Sequence, residues 1–210
     1  MQIKNTPLEG LKIIELKIYA DERGWFTERY KTALELGNFV QDNHSRSAAN
    51  VVRGLHYQTN PNQAKLVSCI RGRIYDVAVD IRKNSATFGQ HFGIELDHTK
   101  MLYIPAGFAH GFAALEESDV MYKVDGAYNP SGEGCIKFDD SALKINWGIA
   151  NPIVSGKDLQ GISPSFDLHD EISRAGIDED IHEFHKFVGM FGHKPCKVWG
   201  SVAGFVIKHV

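Results

Sequence analysis

Two short segments of the chain each place a histidine in an otherwise apolar, strand-like setting. The first is Arg53-Gly-Leu-His-Tyr-Gln58 and the second is Ile104-Pro-Ala-Gly-Phe-Ala-His-Gly-Phe112. A neutral imidazole in such surroundings can act as a base toward the acidic C–H next to a ketone. On the residues alone, His56 and His110 also fit the ordinary role of hydrogen-bonded core histidines. The two segments therefore point to proton chemistry inside a β structure.

The elements that hold these histidines are short β-rich runs, which extend from residue 11 to about residue 147 and are separated by Gly, Pro, Asn and Asp. Such spacing is typical of an all-β sandwich or barrel. The runs that we predict as further strands are 11–18, 65–70, 73–81, 89–96, 101–104, 120–124 and 135–138.

Local patterns add detail to this β region. Residues 73–81 alternate, with Asp76 and Asp80 on one face, which predicts that this face is solvated or lines a polar cavity. Turn residues in Ile70-Arg-Gly-Arg73 and Asn129-Pro-Ser-Gly132 predict that each segment closes a hairpin.

The pattern changes after Trp147. A loop with two prolines leads to residues 170–188, whose apolar spacing predicts one or two short helices, and residues 198–210 predict a final strand. His182, His185, His193 and Cys196 also occur in this region, but their spacing matches no zinc pattern, and surface histidines account for them.

Bulk composition limits the function classes. A chain of 210 residues with 43% hydrophobic content can bury a full core. The net charge of -3 comes from interspersed charges, which argues against nucleic acid as a partner. The three cysteines are widely spaced and predict reduced thiols. Because no apolar run has the length of a signal peptide or a membrane span, we expect a soluble cytoplasmic protein that does not contact membranes.

The spacing Pro105-x-Gly107-x-x-His110 resembles the second sequence motif of cupins, a family of jelly-roll barrels. Metal-binding cupins also have a His-x-His pair in their first motif, whereas here His56 is followed two residues later by Gln58. The sequence therefore predicts no metal and no cofactor.

Several further segments, in matching order and spacing, resemble the dTDP-4-dehydrorhamnose 3,5-epimerase family of metal-independent cupins. This resemblance implies a mainly β, cupin-type double-stranded β-helix barrel at 1–158. Residues 159–210 have no match in it, and we expect them to form a short mixed extension packed on the barrel. The resemblance also implies epimerisation of a nucleotide-linked 4-keto-6-deoxy sugar through proton abstraction next to the ketone. The matching segments are Asp21-Glu-Arg-Gly-Trp-Phe-Thr-Glu28, Gln41-Asp-Asn-His-Ser45, Val52-Arg-Gly-Leu-His-Tyr-Gln58, Gln63-Ala-Lys-Leu-Val67, Asp76-Val-Ala-Val-Asp-Ile-Arg82, Ile104-Pro-Ala-Gly-Phe-Ala-His-Gly-Phe112, Tyr122-Lys123 and Ser155-Gly-Lys-Asp158.

The same resemblance implies the catalytic roles. His56 is the base, and Asp158 fixes its tautomer and stabilises the imidazolium. Lys65 stabilises the negative charge that develops on the C4 oxygen, with His110 beside it. Tyr122 is the acid that delivers a proton to the opposite face, although Tyr128 is close enough in sequence to take its place.

The remaining implied site residues bind the substrate. Two guanidinium groups are suited to the diphosphate, an aromatic face to the nucleobase, and polar side chains to the hydrogen bonds around them. In the family the segment 23–28 reaches the site of a partner subunit, which implies a homodimer with shared sites. The substrate-binding residues are Arg23, Phe26, Glu28, Gln41, Asn43, Arg53, His110, Tyr128 and Lys157.

Two alternatives remain at this stage. One is a metal-dependent cupin enzyme, and the other is a non-catalytic module that binds a sugar nucleotide. The sequence also leaves open whether the nucleotide is dTDP, GDP or CDP, which sugar it carries, whether one or two carbons are inverted, and what the extension does.

Overall fold

The computed structural model describes residues 1–163 and the strands within 196–201 and 204–209. The chain divides into two compact units, Met1–Pro164 and Ser165–Val210. The first unit is built from two β-sheets and contains all of the predicted catalytic and binding residues. None of the described helices is long and apolar enough to cross a membrane.

The first sheet has six antiparallel strands in the order β1-β2-β10-β7-β12-β5. Among the described residues its edge strand β1 pairs only with β2, while β7 lies between β10 and β12. The strands are β1 (Gln2–Asn5), β2 (Lys12–Glu15), β5 (Gln41–Ser47), β7 (Lys65–Arg71), β10 (Lys100–Ile104) and β12 (Ser118–Val124).

The second sheet has the order β13-β6-β11-β8-β9, and β14 pairs parallel with the start of β6. The strand β6 is therefore bordered by β11 on one side and by β13 and β14 on the other. The strands are β6 (Val51–Gln58), β8 (Ile74–Asp80), β9 (His91–Leu96), β11 (Phe108–Ala114), β13 (Glu133–Cys135) and β14 (Ile153–Val154).

The remaining elements are short. The strands β3 (Tyr19–Asp21) and β4 (Gly24–Phe26) form an exposed hairpin. In the second unit, β15 (Cys196–Ser201) pairs antiparallel with β16 (Gly204–His209). Two 3-10 turns cover Thr32–Leu34 and Pro130–Gly132. The helix α1 (Gly156–Leu159) begins after Ser155, whose side chain caps it.

The core lies between the two sheets. Val67 and Val120 come from the first sheet, and Ile74, Ala78 and Phe112 come from the second; all five belong to one buried cluster. Because side chains alternate along a strand, these residues show which face of each strand points inward.

The predicted polar face of residues 73–81 is not solvated. Asp76 and Asp80 are both fully buried, alongside the core residues Ile74 and Ala78. Each carboxylate is instead held by hydrogen bonds, Asp76 by His110 and Asp80 by Arg82 and its neighbours. This face therefore lines a polar part of the barrel interior.

Both hairpin predictions are wrong. The turn at Gly72 joins β7 to β8, which belong to different sheets, and Pro130–Gly132 leads into β13, which pairs with β6. A turn signal reports a reversal or bend of the chain, but the partner of each strand depends on the packing of the whole barrel. The predicted strand at 135–138 is also displaced, because β13 ends at Cys135.

The C-terminal predictions have different outcomes. The predicted helices at 170–188 lie outside the described residues, as do His182, His185 and His193. In place of the predicted single strand at 198–210, the structure has two antiparallel strands, β15 and β16. The placement of the extension on the barrel stays a prediction.

Candidate active site

His56 on β6 pairs with Asp158 on α1. The ring Nε2 of His56 is 2.7 Å from Oδ1 of Asp158, and the carboxylate is almost fully buried. Its second oxygen accepts the backbone N–H of Gly54 at 3.2 Å, and the Asp158 backbone N–H donates to Ser155 Oγ at 3.1 Å. The pairing of β14 with β6 brings this capped turn beside the histidine. The carboxylate is thereby fixed against one edge of the imidazole.

This arrangement sets the protonation of His56. We assign the ring proton to Nε2, because an ionised carboxylate can only accept, and this leaves the lone pair on Nδ1. Burial lowers the pKa of His56 below its ordinary 6.5, partly opposed by the hydrogen bond and charge of Asp158. The ring is therefore neutral at physiological pH, and the carboxylate can stabilise the imidazolium that forms on proton uptake.

A second histidine–carboxylate pair lies next to the first. His110 on β11 stands directly opposite His56 in the strand pairing, so both side chains share the inward face. The Nε2 of His110 is 2.9 Å from Oδ2 of Asp76, and both residues are buried. His110 is thus a buried, hydrogen-bonded histidine of the barrel, and this structural role is compatible with the predicted role in the site.

Lys65 brings a cation into the same interior. Its side chain is only 9% exposed, and Nζ donates to the carbonyl oxygen of His56 at 3.2 Å. Burial lowers the pKa of Lys65 to about 8, although the charges of Asp76 and Glu133 act in the opposite direction. This location excludes the alternative of a surface lysine at a strand edge.

Tyr122 lies on the first sheet, opposite the sheet that carries His56. In the strand pairing it stands between Val67 and Asn43, and Val67 belongs to the core, so this row points inward. Burial raises the pKa of Tyr122, and the nearby charge of Arg53 acts against this. The phenol is thus protonated at neutral pH and able to donate.

The strand β5 places two predicted binding residues on this inward face. Asn43 is opposite Tyr122, and Gln41 is opposite Val124, whose other neighbour is Lys65. The Gln41 side chain donates to Oδ1 of Asn43 at 2.8 Å. The two amides thus form one polar edge next to Tyr122.

Arg53 is held where β6 approaches β5. Its Nε donates to Ser47 Oγ at 2.9 Å, and its Nη2 donates to the Arg46 carbonyl at 3.0 Å. Since its charge also acts on the Tyr122 phenol, the guanidinium lies near the proposed acid. The guanidinium is positioned by neutral acceptors, which leaves its charge available to an anion.

Glu133 is a site residue that sequence reasoning missed. Its Oε2 accepts from Lys157 Nζ at 2.7 Å and from the Tyr128 hydroxyl at 3.0 Å. Burial raises the pKa of Glu133, but these two hydrogen bonds and the nearby positive charge, mainly that of Lys157, together outweigh burial, so the net effect is a lowering. Its charge also acts on Lys65. No local motif marks Glu133, because its position depends on the pairing of β13 with β6.

The position of Gln58 explains the departure from the metal-binding cupin motif. Its Nε2 donates to the carbonyls of Pro61 and Ala127, at 2.8 and 3.0 Å, and its Oε1 accepts from the backbone N–H of Asn129. Where a metal cupin has its second histidine, this chain uses an amide to hold two loops together. The sequence did not indicate this structural role.

Within residues 1–163 one group of possible metal ligands stands out. The ligand atoms of His56, Cys135 and Asp158 all lie within 4.8 Å of one another. Burial raises the pKa of the Cys135 thiol to about 12, with a further rise from the charge of Asp158, so the thiol is protonated. Within this group His56 corresponds to the first histidine of the cupin His-x-His motif, whereas Cys135 and Asp158 lie outside both cupin motifs.

The predicted residues Arg23, Phe26 and Glu28 are not joined to this cluster by the contacts recorded within one copy of the chain. Arg23 pairs with Asp21 in the exposed β3–β4 hairpin, Phe26 is 63% exposed, and Glu28 pairs with Lys31 at 3.2 Å. Their contacts among the described residues are with their own segment, and their predicted role depends on a second subunit.

Comparisons with known proteins agree with this architecture. The family profile described as dTDP-4-dehydrorhamnose 3,5-epimerase matches residues 5–165. The dTDP-4-dehydrorhamnose 3,5-epimerase of Salmonella typhimurium is 47% identical in an alignment of 169 residues, and the match covers 75% of this chain and 92% of that protein. The enzyme of the same name from Mycobacterium tuberculosis is 35% identical in an alignment of 205 residues, and the match covers 90% of this chain and 98% of that protein. The latter match reaches beyond residue 165, so part of the extension has a counterpart in a relative.

A solved structure adds the fold. The dTDP-6-deoxy-D-glucose-3,5-epimerase of Legionella pneumophila, in complex with dTDP-4-keto-L-rhamnose, is 45% identical with a TM-score of 0.73. The match covers 76% of this chain and 90% of that chain. It confirms the predicted cupin-type jelly roll. This chain belongs to the dTDP-4-dehydrorhamnose 3,5-epimerase family and is an epimerase, an enzyme of the isomerase class.

Proposed function

We propose that this chain inverts C3 and C5 of a dTDP-linked 4-keto-6-deoxy sugar by removing and replacing the protons next to the C4 ketone. The observation that carries this proposal is the buried pair of His56 and Asp158, with 2.7 Å between Nε2 and Oδ1. The 4-keto sugar nucleotide bound to the Legionella relative supports this class of substrate.

The first step is proton removal by His56. Its Nδ1 lone pair takes the C–H proton, and the electron pair of that bond moves onto the C4 oxygen to give an enolate. Asp158 stabilises the imidazolium that results. The ammonium of Lys65, which donates to the carbonyl oxygen of His56, supplies positive charge to the enolate oxygen. His110 stands opposite His56 in the strand pairing and lies on the same face.

The second step is protonation from the opposite side. Tyr122 and His56 stand on facing sheets, so a sugar ring between them would lose a proton to one sheet and gain a proton from the other. The phenol gives its proton to carbon and takes a new proton from water, while the imidazolium of His56 releases its proton to water, which restores both groups. This geometry supports inversion at each carbon that is presented to the pair.

The nucleotide part of the substrate requires positive charge and a stacking surface. Arg53 and Lys157 supply charge from the same chain, and Gln41 and Asn43 supply amide hydrogen bonds. Tyr128 is 57% exposed and can line the sugar or base pocket.

Three binding residues are assigned to a second subunit. Arg23, Phe26 and Glu28 lie on or directly after the exposed hairpin, whose aromatic side chains Tyr19, Trp25 and Phe26 are each about half exposed or more. We propose a cytoplasmic homodimer in which each hairpin completes the site of the partner subunit.

The test of the reaction is incubation with dTDP-4-keto-6-deoxyglucose in D2O, followed by NMR. Deuterium at C3 and C5 with inverted configuration is the expected result, and His56→Ala should abolish it while nucleotide binding persists. His91→Ala, which removes an imidazole from the far edge strand β9, is the matched control and should retain exchange. Label at C3 alone would show a single-carbon enzyme, and full exchange in His56→Ala would exclude His56 as the base.

Shared sites can be tested by complementation. Arg23→Ala and His56→Ala are each expected to be inactive alone. A mixed dimer has one site with both residues intact, so mixing the two variants under exchange conditions should restore activity. If mixed dimers form and no activity returns, Arg23 does not serve the partner's site.

A further inference from the structure

Cys135 lies next to the proposed base pair, and the mechanism above does not use it. It stands directly opposite His56 in the pairing of β13 with β6, so the two side chains share one face. Its Sγ is 4.0 Å from Oδ1 of Asp158, the same oxygen that contacts His56 Nε2. One nitrogen, one oxygen and one sulfur atom thus lie within 4.8 Å of one another.

The chemistry of these three atoms selects one class of cation. Imidazole, carboxylate and thiolate are the protein ligands of Zn²⁺, at about 2.0 to 2.3 Å each. Magnesium and calcium prefer sites made of oxygen atoms alone. Since the three ligand atoms lie within 4.8 Å of one another, each needs to move by only about an ångström to reach a shared ion. The thiol ligand favours thiophilic cations.

Charge and access also fit such an ion. A thiolate and a carboxylate together neutralise a divalent cation, so the buried complex carries no net charge. Binding requires the Cys135 thiol to release its proton, which a coordinated metal enforces. The His56 side chain is 32% exposed, which leaves a path for the ion and a fourth position for water.

We propose that His56, Cys135 and Asp158 form a binding site for Zn²⁺ and related thiophilic divalent cations, and that occupation of this site inhibits the epimerase. The ion bonds to Nε2 of His56, where the proton now lies, so the proton of the neutral ring moves to Nδ1. The base then has no lone pair to offer the substrate. The inhibition rests on the proposed function of His56, whereas the binding does not.

The binding is tested with Co²⁺ as a spectroscopic substitute for Zn²⁺ on the full-length, metal-stripped protein. Coordination by Cys135 should produce a thiolate-to-cobalt charge-transfer band that Zn²⁺ abolishes by competition. The band should be absent in Cys135→Ser. Cys196→Ser is the matched control, because it removes the cysteine that accompanies the three tail histidines, and it should keep the band. Asp158→Asn should weaken cobalt binding at least about tenfold through loss of a ligand.

The inhibition is tested by titrating Zn²⁺ into the deuterium-exchange assay, with each variant compared with its own rate in EDTA. The Zn²⁺ concentration for half inhibition should rise at least about tenfold in Cys135→Ser and stay unchanged in Cys196→Ser. EDTA should restore the wild-type rate.

Four results would overturn this inference or its inhibition step. Absence of a charge-transfer band in the wild-type protein rules out the site, as does a band that Cys196→Ser removes and Cys135→Ser retains. A band with unchanged activity at saturating Zn²⁺ rules out inhibition. If Cys135→Ser does not fold, unaltered cobalt affinity in Asp158→Asn refutes the site by itself. If the EDTA-treated wild-type protein shows no exchange, the proposed function fails, and the cobalt band still decides whether the site binds metal.

Discussion

Substitution of Asp158 by Asn is the sharpest perturbation of the proposed base, because it preserves shape and removes one acceptor. The two carboxylate oxygens now have different partners: Oδ1 accepts from His56 and Oδ2 accepts from the Gly54 backbone N–H. An Asn side chain has only one oxygen. If that oxygen continues to accept from Gly54, the NH2 group faces His56 Nε2.

An NH2 group facing Nε2 reverses the tautomer of His56. Nε2 must then accept, the ring proton moves to Nδ1, and the nitrogen that should remove the substrate proton is blocked. In serine proteases the equivalent change in a His–Asp pair lowers kcat by about 10⁴-fold. We therefore expect a fall of about 10³- to 10⁴-fold in kcat for Asp158→Asn, or about 4 to 5.5 kcal/mol in the activation free energy.

The assay combines rate and tautomer. Deuterium exchange at C3 and C5 gives the rate, and ¹⁵N NMR of the histidine ring shows which nitrogen is protonated. Asp140→Asn is the matched control, because Asp140 is also a buried carboxylate that accepts backbone N–H groups, but within its own turn. It should leave kcat near the wild-type value. A loss of less than tenfold in a folded Asp158→Asn protein with the proton on Nδ1 would refute the reasoning.

Three further predictions follow from the same geometry. Tyr122→Phe should lower the rate of inversion by about 10²- to 10⁴-fold while exchange at the base continues, so NMR should detect deuterium in uninverted substrate. Lys65→Met should reduce kcat yet raise the free energy of unfolding at pH 7 by up to about 3 kcal/mol, because burial of the ammonium lowers its pKa from 10.5 to about 8. This gain is full below pH 8, where the folded wild-type protein also carries the charge. It shrinks as pH rises from 8 to 10.5, where only the unfolded chain keeps the proton, so denaturant unfolding across that range checks its sign. Gly54→Ala should destabilise the barrel by more than about 2 kcal/mol in the same unfolding assay, since Gly54 has φ +112° and a Cβ would lie 2.6 Å from the carbonyl oxygen of His110.

The sequence predicts the parts of the site that lie within single strands. His56, His110 and Lys65 occur in β runs whose alternation assigns each residue to a face, and the structure places all three in the barrel interior. Family resemblance adds Asp158 and Tyr122, which lie far from His56 in sequence. Their placement beside or opposite His56 requires the pairing of β14 with β6 and the packing of the two sheets.

Sequence reasoning fails where a residue acquires its role only through pairing between distant segments. Glu133 has an ordinary turn-like context, but its register opposite Gln58 brings it to Lys157 and Tyr128. The sequence predicts an ordinary reduced thiol at Cys135, but the same pairing places it opposite His56. At Gly72 the sequence predicts a pairing that does not form. The turn is present, but the turn residues do not reveal that the next strand, β8, enters another sheet.

Burial between the two sheets accounts for two of the three protonation states that the proposed reaction requires and works against the third. It lowers the pKa of His56, which keeps the base neutral, and raises the pKa of Tyr122, which keeps the acid protonated. It also lowers the pKa of Lys65, but only to about 8, because the charges of Asp76 and Glu133 oppose desolvation, so the ammonium remains mostly charged at neutral pH. Loss of the Asp76 or Glu133 charge should therefore lower the fraction of Lys65 that is protonated, and with it the stabilisation of the enolate, more than it changes the protonation of His56. Asp76 of the His110–Asp76 pair and Glu133 thus keep Lys65 charged, as Asp158 stabilises the protonated form of His56.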